Sequence, residues 1–154
     1  MIRVLFVCLG NICRSPMAEA VLRHKAALRG LQGAIATDSA GTGNWHIGKP
    51  PHEGTLGQLK LHGISSEGLI ARQMQAQDFE QFDYIVCMDD SNEQNLRRLQ
   101  GGKDAEILKL MDLLPDEPLR EVPDPYFTGN FEETYRLIDL GCEVLLDKIV
   151  SEKL

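Results

Sequence analysis

The N-terminal part of the chain has the pattern of a buried strand, a short loop and a helix. Residues 2–7 are mostly apolar and β-forming, which is typical of a strand buried on both faces. Residues 8–15 form the loop, and Gly10 and Asn11 within it both tolerate positive φ. A helical pattern follows over residues 16–28. A strand that leads directly into a helix predicts an α/β fold built on parallel strands.

The side chains of this loop suit chemistry on a tetrahedral oxyanion. The amides of such a loop can point inward and bind an anion, and the helix N-terminus adds positive potential. A nearby cation and a helix N-terminus favour the thiolate of Cys8, which is the nucleophilic form. Arg14 offers a planar, permanently charged fork that matches two phosphoryl oxygens. Ser15 can donate a hydrogen bond to the Cys8 sulfur, and it is also predicted as the helix N-cap, with Pro16 at the first helical position.

Apolar strand-like runs alternate with helical patterns along the rest of the chain. This alternation predicts a parallel sheet covered by helices on both faces. The candidate strands are residues 3–8, 34–39, 83–88 and 107–111, and the candidate helices are residues 16–29, 52–62, 77–81, 91–99 and 130–149. Long connections at 41–51 and 114–129 are expected at the surface. Because sites form at the carboxyl ends of parallel strands, Cys8, Ser39 and Met88 are expected near the site.

Length and composition limit the classes of protein. A chain of 154 residues is expected to form one domain, 1–154. No stretch approaches the roughly 20 apolar residues of a membrane span, and the start of the chain lacks a signal-peptide pattern, so no membrane insertion is expected. The net charge of −7 argues against a nucleic-acid partner. The four cysteines have neither zinc spacing nor the density of secreted disulfide proteins, which predicts a reducing cytoplasm.

Several short motifs occur along the chain in one order. The first is Val7-Cys8-Leu9-Gly10-Asn11-Ile12-Cys13-Arg14-Ser15-Pro16, followed by Met17-Ala18-Glu19-Ala20. The later ones are Asp38-Ser39, Asn44-Trp45, Ala71-Arg72-Gln73, Asp83-Tyr84-Ile85-Val86-Cys87-Met88-Asp89 with Ser91-Asn92, and Asp124-Pro125-Tyr126. Together they resemble the low-molecular-weight protein tyrosine phosphatases. The resemblance implies a three-layer α/β/α fold with a four-stranded parallel sheet in the order 2-1-3-4.

The resemblance also implies a reaction. The chain is expected to hydrolyse phosphotyrosine in proteins, and small aryl phosphates, through a phosphocysteine intermediate. Cys8 would be the nucleophile, Arg14 would bind the transferred phosphoryl group, and the phosphate-binding segment would be Leu9, Gly10, Asn11, Ile12, Cys13, Arg14 and Ser15. Asp124 would act first as general acid and then as general base. From the residues alone Asp124 has two readings, because an Asp-Pro pair is also a common turn starter.

Further positions take roles from the same resemblance. Trp45 and Tyr126 would wall a deep cleft that admits a phenyl phosphate. Cys13 would be the redox partner that traps an oxidised Cys8 as a reversible disulfide. Phe127 stands where animal relatives have a second tyrosine, so a switch based on phosphorylation of two tyrosines is not expected.

The loop is expected to depend on neighbouring hydrogen bonds. The family pattern implies that Asn11, Ser15 and Ser39 brace it. A histidine that supports Asn11 in animal members precedes the Ala-Arg pair by two residues, and Leu69 occupies that position here. One support of Asn11 is therefore predicted to be missing. Arg72 is predicted to be a structural ion-pair partner rather than a substrate ligand.

The same loop allows two functions other than a tyrosine phosphatase. A related group of arsenate reductases uses the same loop, but that chemistry needs two further cysteines after the third strand, and only Cys87 is near. A non-catalytic phosphate-binding protein is the other alternative, and the presence of Cys8, Arg14 and Asp124 together weighs against it. Neither a metal nor a cofactor is expected, because no ligand spacing occurs among His24, His46, His52 and His62.

Overall fold

Four parallel strands form the centre of the structure, a computed structural model that describes residues 1–100 and 105–154. The strands are β1 (Ile2–Cys8), β2 (Ile35–Gly41), β3 (Tyr84–Cys87) and β4 (Glu106–Lys109). The helices are α1 (Arg14–Leu28), α2 (Glu53–Leu61), α3 (Asp78–Gln81), α4 (Asp90–Gln100), α5 (Pro125–Thr128) and α6 (Phe131–Lys153). A 3₁₀ turn, Leu110–Leu113, follows β4 directly.

The sheet has the order β2-β1-β3-β4, and every pairing is parallel. The predicted order 2-1-3-4 is therefore confirmed. Side chains of β1 alternate between two apolar clusters, as the period of a strand requires. Val4 and Phe6 face a cluster that includes residues of α1 and α6, while Leu5 and Val7 face a second cluster with residues of α3 and α4. The result is the predicted three-layer α/β/α arrangement, with the side chains of the central strand β1 buried on both faces from Val4 onwards.

Helix α1 begins at Arg14, two residues earlier than the pattern predicts, so Pro16 is its third residue and not its first. Its N-cap is Cys13, not Ser15, and no side chain caps the first turn. The N-cap assignment for Ser15 is therefore wrong, because the Ser15 hydroxyl contacts Cys8 and Asn11 instead. Pro16 lies in the first turn, where its missing N–H costs no intrahelical hydrogen bond. The open first turn leaves the helix N-terminus facing the loop.

Two short elements, a 3₁₀ segment and helix α5, were not predicted from the sequence. The predicted fourth strand, 107–111, ends at Lys109 because the chain turns into the 3₁₀ segment. Helix α5 lies inside the long connection 114–129 and was not predicted, because it is too short to show a helical period. Within the described residues, none of the helices combines the length and the apolar character that crossing a membrane requires.

Candidate active site

The sulfur of Cys8 lies at the carboxyl end of β1, at the base of a cavity of about 220 Å³. Cys8 is only 3% exposed, so access to its sulfur is from the cavity. The residues that line the cavity are Cys8, Leu9, Gly10, Ile12, Cys13, Trp45, His46, Asp124, Tyr126 and Phe127. They come from the first loop and from both long connections, which is the arrangement expected at the end of a parallel sheet.

The carbonyl groups of the loop accept hydrogen bonds from surrounding segments. The contacts are Thr42 N to Cys8 O at 2.9 Å, Gly43 N to Leu9 O at 2.9 Å, His52 N to Ile12 O at 2.7 Å and Thr55 Oγ1 to Cys13 O at 3.0 Å. In a planar trans peptide the C=O and the following N–H point in opposite directions. Binding these carbonyls from outside therefore turns the following amides towards the other side of the loop.

Those amides form an open set of donors. Within the described residues, the backbone N–H groups of residues 9–13 have no protein acceptor. Asn11 adopts a φ of 57°, in the left-handed region, as predicted for this turn. Gly10, which also tolerates positive φ, does not adopt it. A Cβ at Gly10 would meet His46 Cδ2 at 3.0 Å, so a side chain there would require His46 to shift.

The side chain of Asn11 makes three hydrogen bonds. Its Nδ2 donates to Ser15 Oγ at 2.8 Å and to Ser39 Oγ at 2.9 Å, and its Oδ1 accepts from the Arg72 amide at 2.9 Å. The predicted bracing by Asn11, Ser15 and Ser39 is therefore present. Leu69 is buried in the apolar core, and the predicted loss of support does not leave the amide of Asn11 unsatisfied.

The hydrogen bonds around Asn11 have one consistent direction. Each serine accepts from Asn11 Nδ2, so each hydroxyl proton is free to be donated elsewhere. The Ser15 oxygen lies 2.9 Å from Cys8 Sγ, where that proton stabilises a thiolate. The Ser39 hydroxyl donates to Glu19 Oε1 at 2.6 Å. Glu19 is therefore linked to the cysteine through two serines and one asparagine.

Glu19 is a buried carboxyl group in α1, with only 8% of its surface exposed. Burial raises the pKa of Glu19 from its ordinary value of 4.5 to about 7. The hydrogen bond from Ser39 and the charges of Arg23 and Arg72 oppose this rise, and the charge of Asp38 adds to it. Since the folded state disfavours the ionised form, Glu19 contributes stability below about pH 4.5 and loses that contribution as the pH rises through 7.

We therefore expect Glu19→Gln to flatten the pH dependence of folding. The amide keeps an oxygen that accepts from Ser39 but cannot ionise. Its free energy of unfolding should rise relative to wild type between about pH 4.5 and 7, by on the order of 3 kcal/mol. Denaturant unfolding at several pH values measures this. Glu67→Gln removes an exposed carboxyl as the control, and equal pH dependence of wild type and Glu19→Gln would contradict the prediction.

Arg14 is 2% exposed and is fixed by three acceptors. Its Nη1 donates to Asp89 Oδ2 at 2.8 Å and to Val122 O at 2.9 Å, and its Nη2 lies 3.5 Å from Asp124 Oδ2. Burial lowers the pKa of Arg14, but Cys8, Asp89 and Asp124 outweigh this effect and raise it, so the guanidinium stays charged. Asp89 also accepts from Asn92 N at 2.8 Å at the start of α4, so its carboxylate both caps that helix and holds Arg14.

Asp124 both starts a turn, as its Asp-Pro pair suggests, and lies at the cavity, as the proposed acid must. It is the N-cap of α5, with Oδ1 accepting from Tyr126 N at 3.1 Å and Pro125 at the first helical position. Its other oxygen, Oδ2, lies towards Arg14 and the cavity. The cap therefore fixes one oxygen of the carboxyl group and leaves the second available at the cavity.

Aromatic side chains form the wall of the cavity. Trp45 is 63% exposed, and its ring covers Gly43, where any side chain would clash with it. Tyr126 packs edge-on against Phe127 at 5.3 Å between ring centroids and against His52 at 6.2 Å, with His46 at 6.5 Å. The wall is open to solvent at the rim and apolar towards the sulfur.

This geometry agrees with comparisons to known proteins. A family model described as low molecular weight phosphotyrosine protein phosphatase matches residues 3–154. The chain is 57% identical over 154 residues to the low molecular weight protein-tyrosine-phosphatase YfkJ of Bacillus subtilis (strain 168), covering 99% of each chain. The chain belongs to the low molecular weight phosphotyrosine protein phosphatase family.

Other members of the family support the same fold. The crystal structure of YfkJ superposes with a TM-score of 0.97 and covers 100% of this chain and 98% of that one. PtpA of Staphylococcus aureus (strain MRSA252) is 45% identical over 152 residues, covering 99% of this chain and 96% of its own. A structure named DARP, drosophila arginine phosphatase, is 38% identical with a TM-score of 0.87, covering 97% of this chain and 99% of that chain.

Most of the residues predicted for the site do line the cavity. Cys8, Asp124, Trp45 and Tyr126 meet there, together with Cys13 and the loop residues Leu9, Gly10 and Ile12. Asn11, Arg14 and Ser15, which were also predicted to bind phosphate, do not line it. Asn11 and Ser15 brace the loop through hydrogen bonds, and the guanidinium of Arg14 lies next to Asp124. Arg72 forms the predicted ion pairs, with Asp38 and with Asp78.

Three contributors were missed. His46 and Phe127 line the cavity, but neither has a sequence pattern that distinguishes it from a surface residue. Thr55 contacts the loop from α2, and only its buried position in that helix could have indicated this.

The four cysteines are free thiols and differ in surroundings. Burial, and then the charge of Asp124, raise the pKa of Cys13 to about 12. Burial likewise raises the pKa of Cys87, inside β3, to about 12. Over the described ranges 1–100 and 105–154, no group of three or more His, Cys, Asp or Glu side chains is positioned to hold a metal ion.

Proposed function

We propose that this chain is a cysteine-dependent protein tyrosine phosphatase that acts through a phosphocysteine intermediate. The observation that carries the proposal is the sulfur of Cys8 at the base of an apolar cavity, beneath amides that have no protein acceptor and beside Arg14 and Asp124. Unpaired backbone donors and a buried guanidinium suit a dianionic phosphoryl group. A thiolate below them can attack its phosphorus in line with the leaving oxygen.

The first half of the proposed reaction transfers the phosphoryl group to Cys8. The thiolate forms a bond to phosphorus while the bond to the phenolic oxygen breaks, and Asp124 gives its proton to that oxygen. The loop amides and Arg14 bind the three equatorial oxygens, where charge is distributed in the transition state. The hydroxyl of Ser15, 2.9 Å from Cys8 Sγ, stabilises the attacking thiolate.

The second half hydrolyses the phosphocysteine. Asp124, now ionised, takes a proton from a water molecule whose oxygen attacks phosphorus as the P–S bond breaks. Cys8 leaves as a thiolate, inorganic phosphate departs, and Asp124 is again protonated. The hydrogen bond from Ser15 favours this step as well, because it stabilises the leaving sulfur.

The wall of the cavity favours an aryl phosphate. Ile12, Trp45 and Tyr126 offer apolar and aromatic surface along the path to Cys8, which suits a phenyl ring rather than a short hydroxyamino acid. Because the relative DARP is named an arginine phosphatase, phosphoarginine is the substrate against which phosphotyrosine should be compared. A protein carrying phosphotyrosine in a reducing, cytoplasmic compartment is the proposed setting, which four free cysteines support.

The alternatives have less support. Cys87 lies fully buried in β3, and burial raises the pKa of its thiol, so it cannot serve the cysteine relay that an arsenate reductase needs. A purely phosphate-binding role would not require a carboxyl oxygen directed to the cavity 3.5 Å from the arginine.

Turnover of p-nitrophenyl phosphate and of matched phosphotyrosine and phosphoarginine peptides tests the function, with arsenate reduction assayed alongside. We expect turnover of the first two and competitive inhibition by vanadate. Preference for phosphoarginine would overturn the substrate but not the chemistry. Absence of phosphate release from every substrate, with vanadate still bound, would favour the non-catalytic alternative.

Peroxide treatment should inactivate the enzyme reversibly. Hydrogen peroxide oxidises the Cys8 thiolate to a sulfenic acid and is itself reduced to water. The sulfur of Cys13 then attacks the Cys8 sulfur, so that the S–S bond forms, the S–OH bond breaks and the sulfenic oxygen leaves as a second water molecule. Both thiols contribute to the same cavity. A thiol reductant should restore most activity in wild type and clearly less in Cys13→Ser, where oxidation continues to sulfinic acid.

The control for this experiment is Cys87→Ala, which removes a thiol buried in β3 away from the cavity. It should recover as wild type does. Mass spectrometry of the oxidised proteins identifies the disulfide or the sulfinic acid directly. Equal recovery of wild type and Cys13→Ser would remove Cys13 from the protective role.

A further inference from the structure

A second groove begins where the catalytic cavity ends. We call it the α4 groove, and its lining includes Leu9, Trp45, Asn95, Arg98 and Leu99. Its volume is about 400 Å³. Leu9 and Trp45 line both the cavity and the α4 groove, so the two depressions are adjacent and lie on either side of the same pair of side chains.

The α4 groove has an apolar surface that is open to solvent. Trp45 is 63% exposed and Leu99 is 56% exposed, and Leu9 is also among the exposed large apolar residues. A phenyl phosphate occupying the cavity would not cover this surface, since it lies beyond the aromatic wall. The polypeptide that carries a phosphotyrosine must leave the cavity over its rim, and the α4 groove offers apolar contact there.

The groove also has a positive charge without an acidic partner. The guanidinium of Arg98 donates to the side-chain oxygen of Asn95, and within the described residues no carboxylate lies within 4 Å of it. Arg97, the next residue of α4, differs because it pairs with Glu93 Oε2 at 3.0 Å. In a chain with a net charge of −7, Arg98 is thus a cation available to a ligand beside the proposed active site.

We propose that the α4 groove binds the polypeptide segment next to the phosphotyrosine and that Arg98 selects substrates with an acidic side chain in that segment. This inference rests on the proposed phosphatase function and names the substrate class of the same site. Trp45 and Leu99 contact the apolar part of the segment, and Arg98 forms an ion pair at the rim. An exposed ion pair of this kind contributes modestly, so the expected selectivity is moderate.

The test uses the full chain and a series of phosphotyrosine peptides. Each peptide has one glutamate at a different position on either side of the phosphotyrosine, and an all-alanine peptide is the reference. For wild type, at least one glutamate position should raise kcat/KM by about 3- to 10-fold, mainly through a lower KM, and high salt should reduce the gain. Arg98→Ala should abolish the gain, and Arg98→Glu should shift the preference to the corresponding lysine peptide.

Arg97→Ala is the matched control, because it removes a neighbouring guanidinium that is already paired on the same helix. It should leave the glutamate preference unchanged. Leu99→Ser should lower kcat/KM for every peptide but leave p-nitrophenyl phosphate turnover unchanged, since that substrate does not reach the groove.

Two results would overturn the proposal. One is a wild-type enzyme that turns over all the peptides equally, and the other is an Arg98→Ala variant that keeps the glutamate preference. Neither result affects the proposed function, which p-nitrophenyl phosphate tests independently. Absence of p-nitrophenyl phosphate turnover by the wild-type protein would instead count against the phosphatase function itself.

Discussion

Cys8→Ser should reduce turnover of every phosphate ester by at least about 10⁴-fold, the scale of loss when a covalent nucleophile is removed. A serine hydroxyl is far less acidic than a thiol and a much weaker nucleophile. The loop amides and Arg14 remain, so vanadate and phosphate should still bind. Steady-state kinetics with p-nitrophenyl phosphate and calorimetric titration with vanadate measure the two properties separately.

The matched control is Cys13→Ser, which changes the other thiol of the cavity. That variant should stay within about tenfold of the wild-type rate, because hydrogen bonds and packing around one side chain are worth about 1 kcal/mol. A Cys8→Ser preparation that retains near wild-type activity would contradict a phosphocysteine intermediate. Loss of vanadate binding in Cys8→Ser would instead indicate that the loop has changed shape.

The sequence predicts best the part of the site that is formed by residues close together in the chain. Residues 8–15 are contiguous, so the spacing of Cys8 and Arg14 and the helix that follows already place a thiol beside a cation and a set of amides. The strand order also followed, because alternating strands and helices allow few parallel arrangements and the family motifs select one of them.

Contacts between distant segments could not be predicted in the same way. Ser15 was assigned as a cap by its position, but in the folded chain its hydroxyl is used by Asn11 and Cys8. The bond from Ser39 to Glu19 joins residues 20 positions apart, and nothing in either segment indicates it. The pair between Arg97 and Glu93 follows from helical spacing alone, but the position of Arg98 in a groove with Leu9 and Trp45 depends on how distant segments meet.

Removal of the carboxyl group of Asp124 should have the second large effect. We expect Asp124→Asn to lose about 10²–10⁴-fold in kcat/KM for phosphotyrosine, the usual contribution of a positioned general acid. Asparagine is as good an N-cap as aspartate, so the bond to Tyr126 N that starts α5 is retained. The loss in Asp124→Asn therefore measures proton transfer without disturbing the wall of the cavity.

Asp124→Ala is the companion variant, because it removes both the acid and the cap. Loss of an N-cap costs about 1 kcal/mol, and here it would loosen the short helix that carries Tyr126. Asp124→Ala should therefore show an additional increase in KM that Asp124→Asn does not. Thermal unfolding of the two variants checks that they differ in this local stability.

The dependence on the leaving group decides whether Asp124 is the acid. Phenoxide from phosphotyrosine is basic and needs a proton as it departs, whereas p-nitrophenoxide is stabilised by its nitro group. Pre-steady-state phosphorylation of Cys8 in Asp124→Asn should therefore slow much more for phosphotyrosine than for p-nitrophenyl phosphate. With p-nitrophenyl phosphate the phosphocysteine should accumulate, because the second step still needs a base to activate water. If wild type and Asp124→Asn depend equally on the pKa of the leaving phenol, Asp124 is the cap of α5 and not the acid.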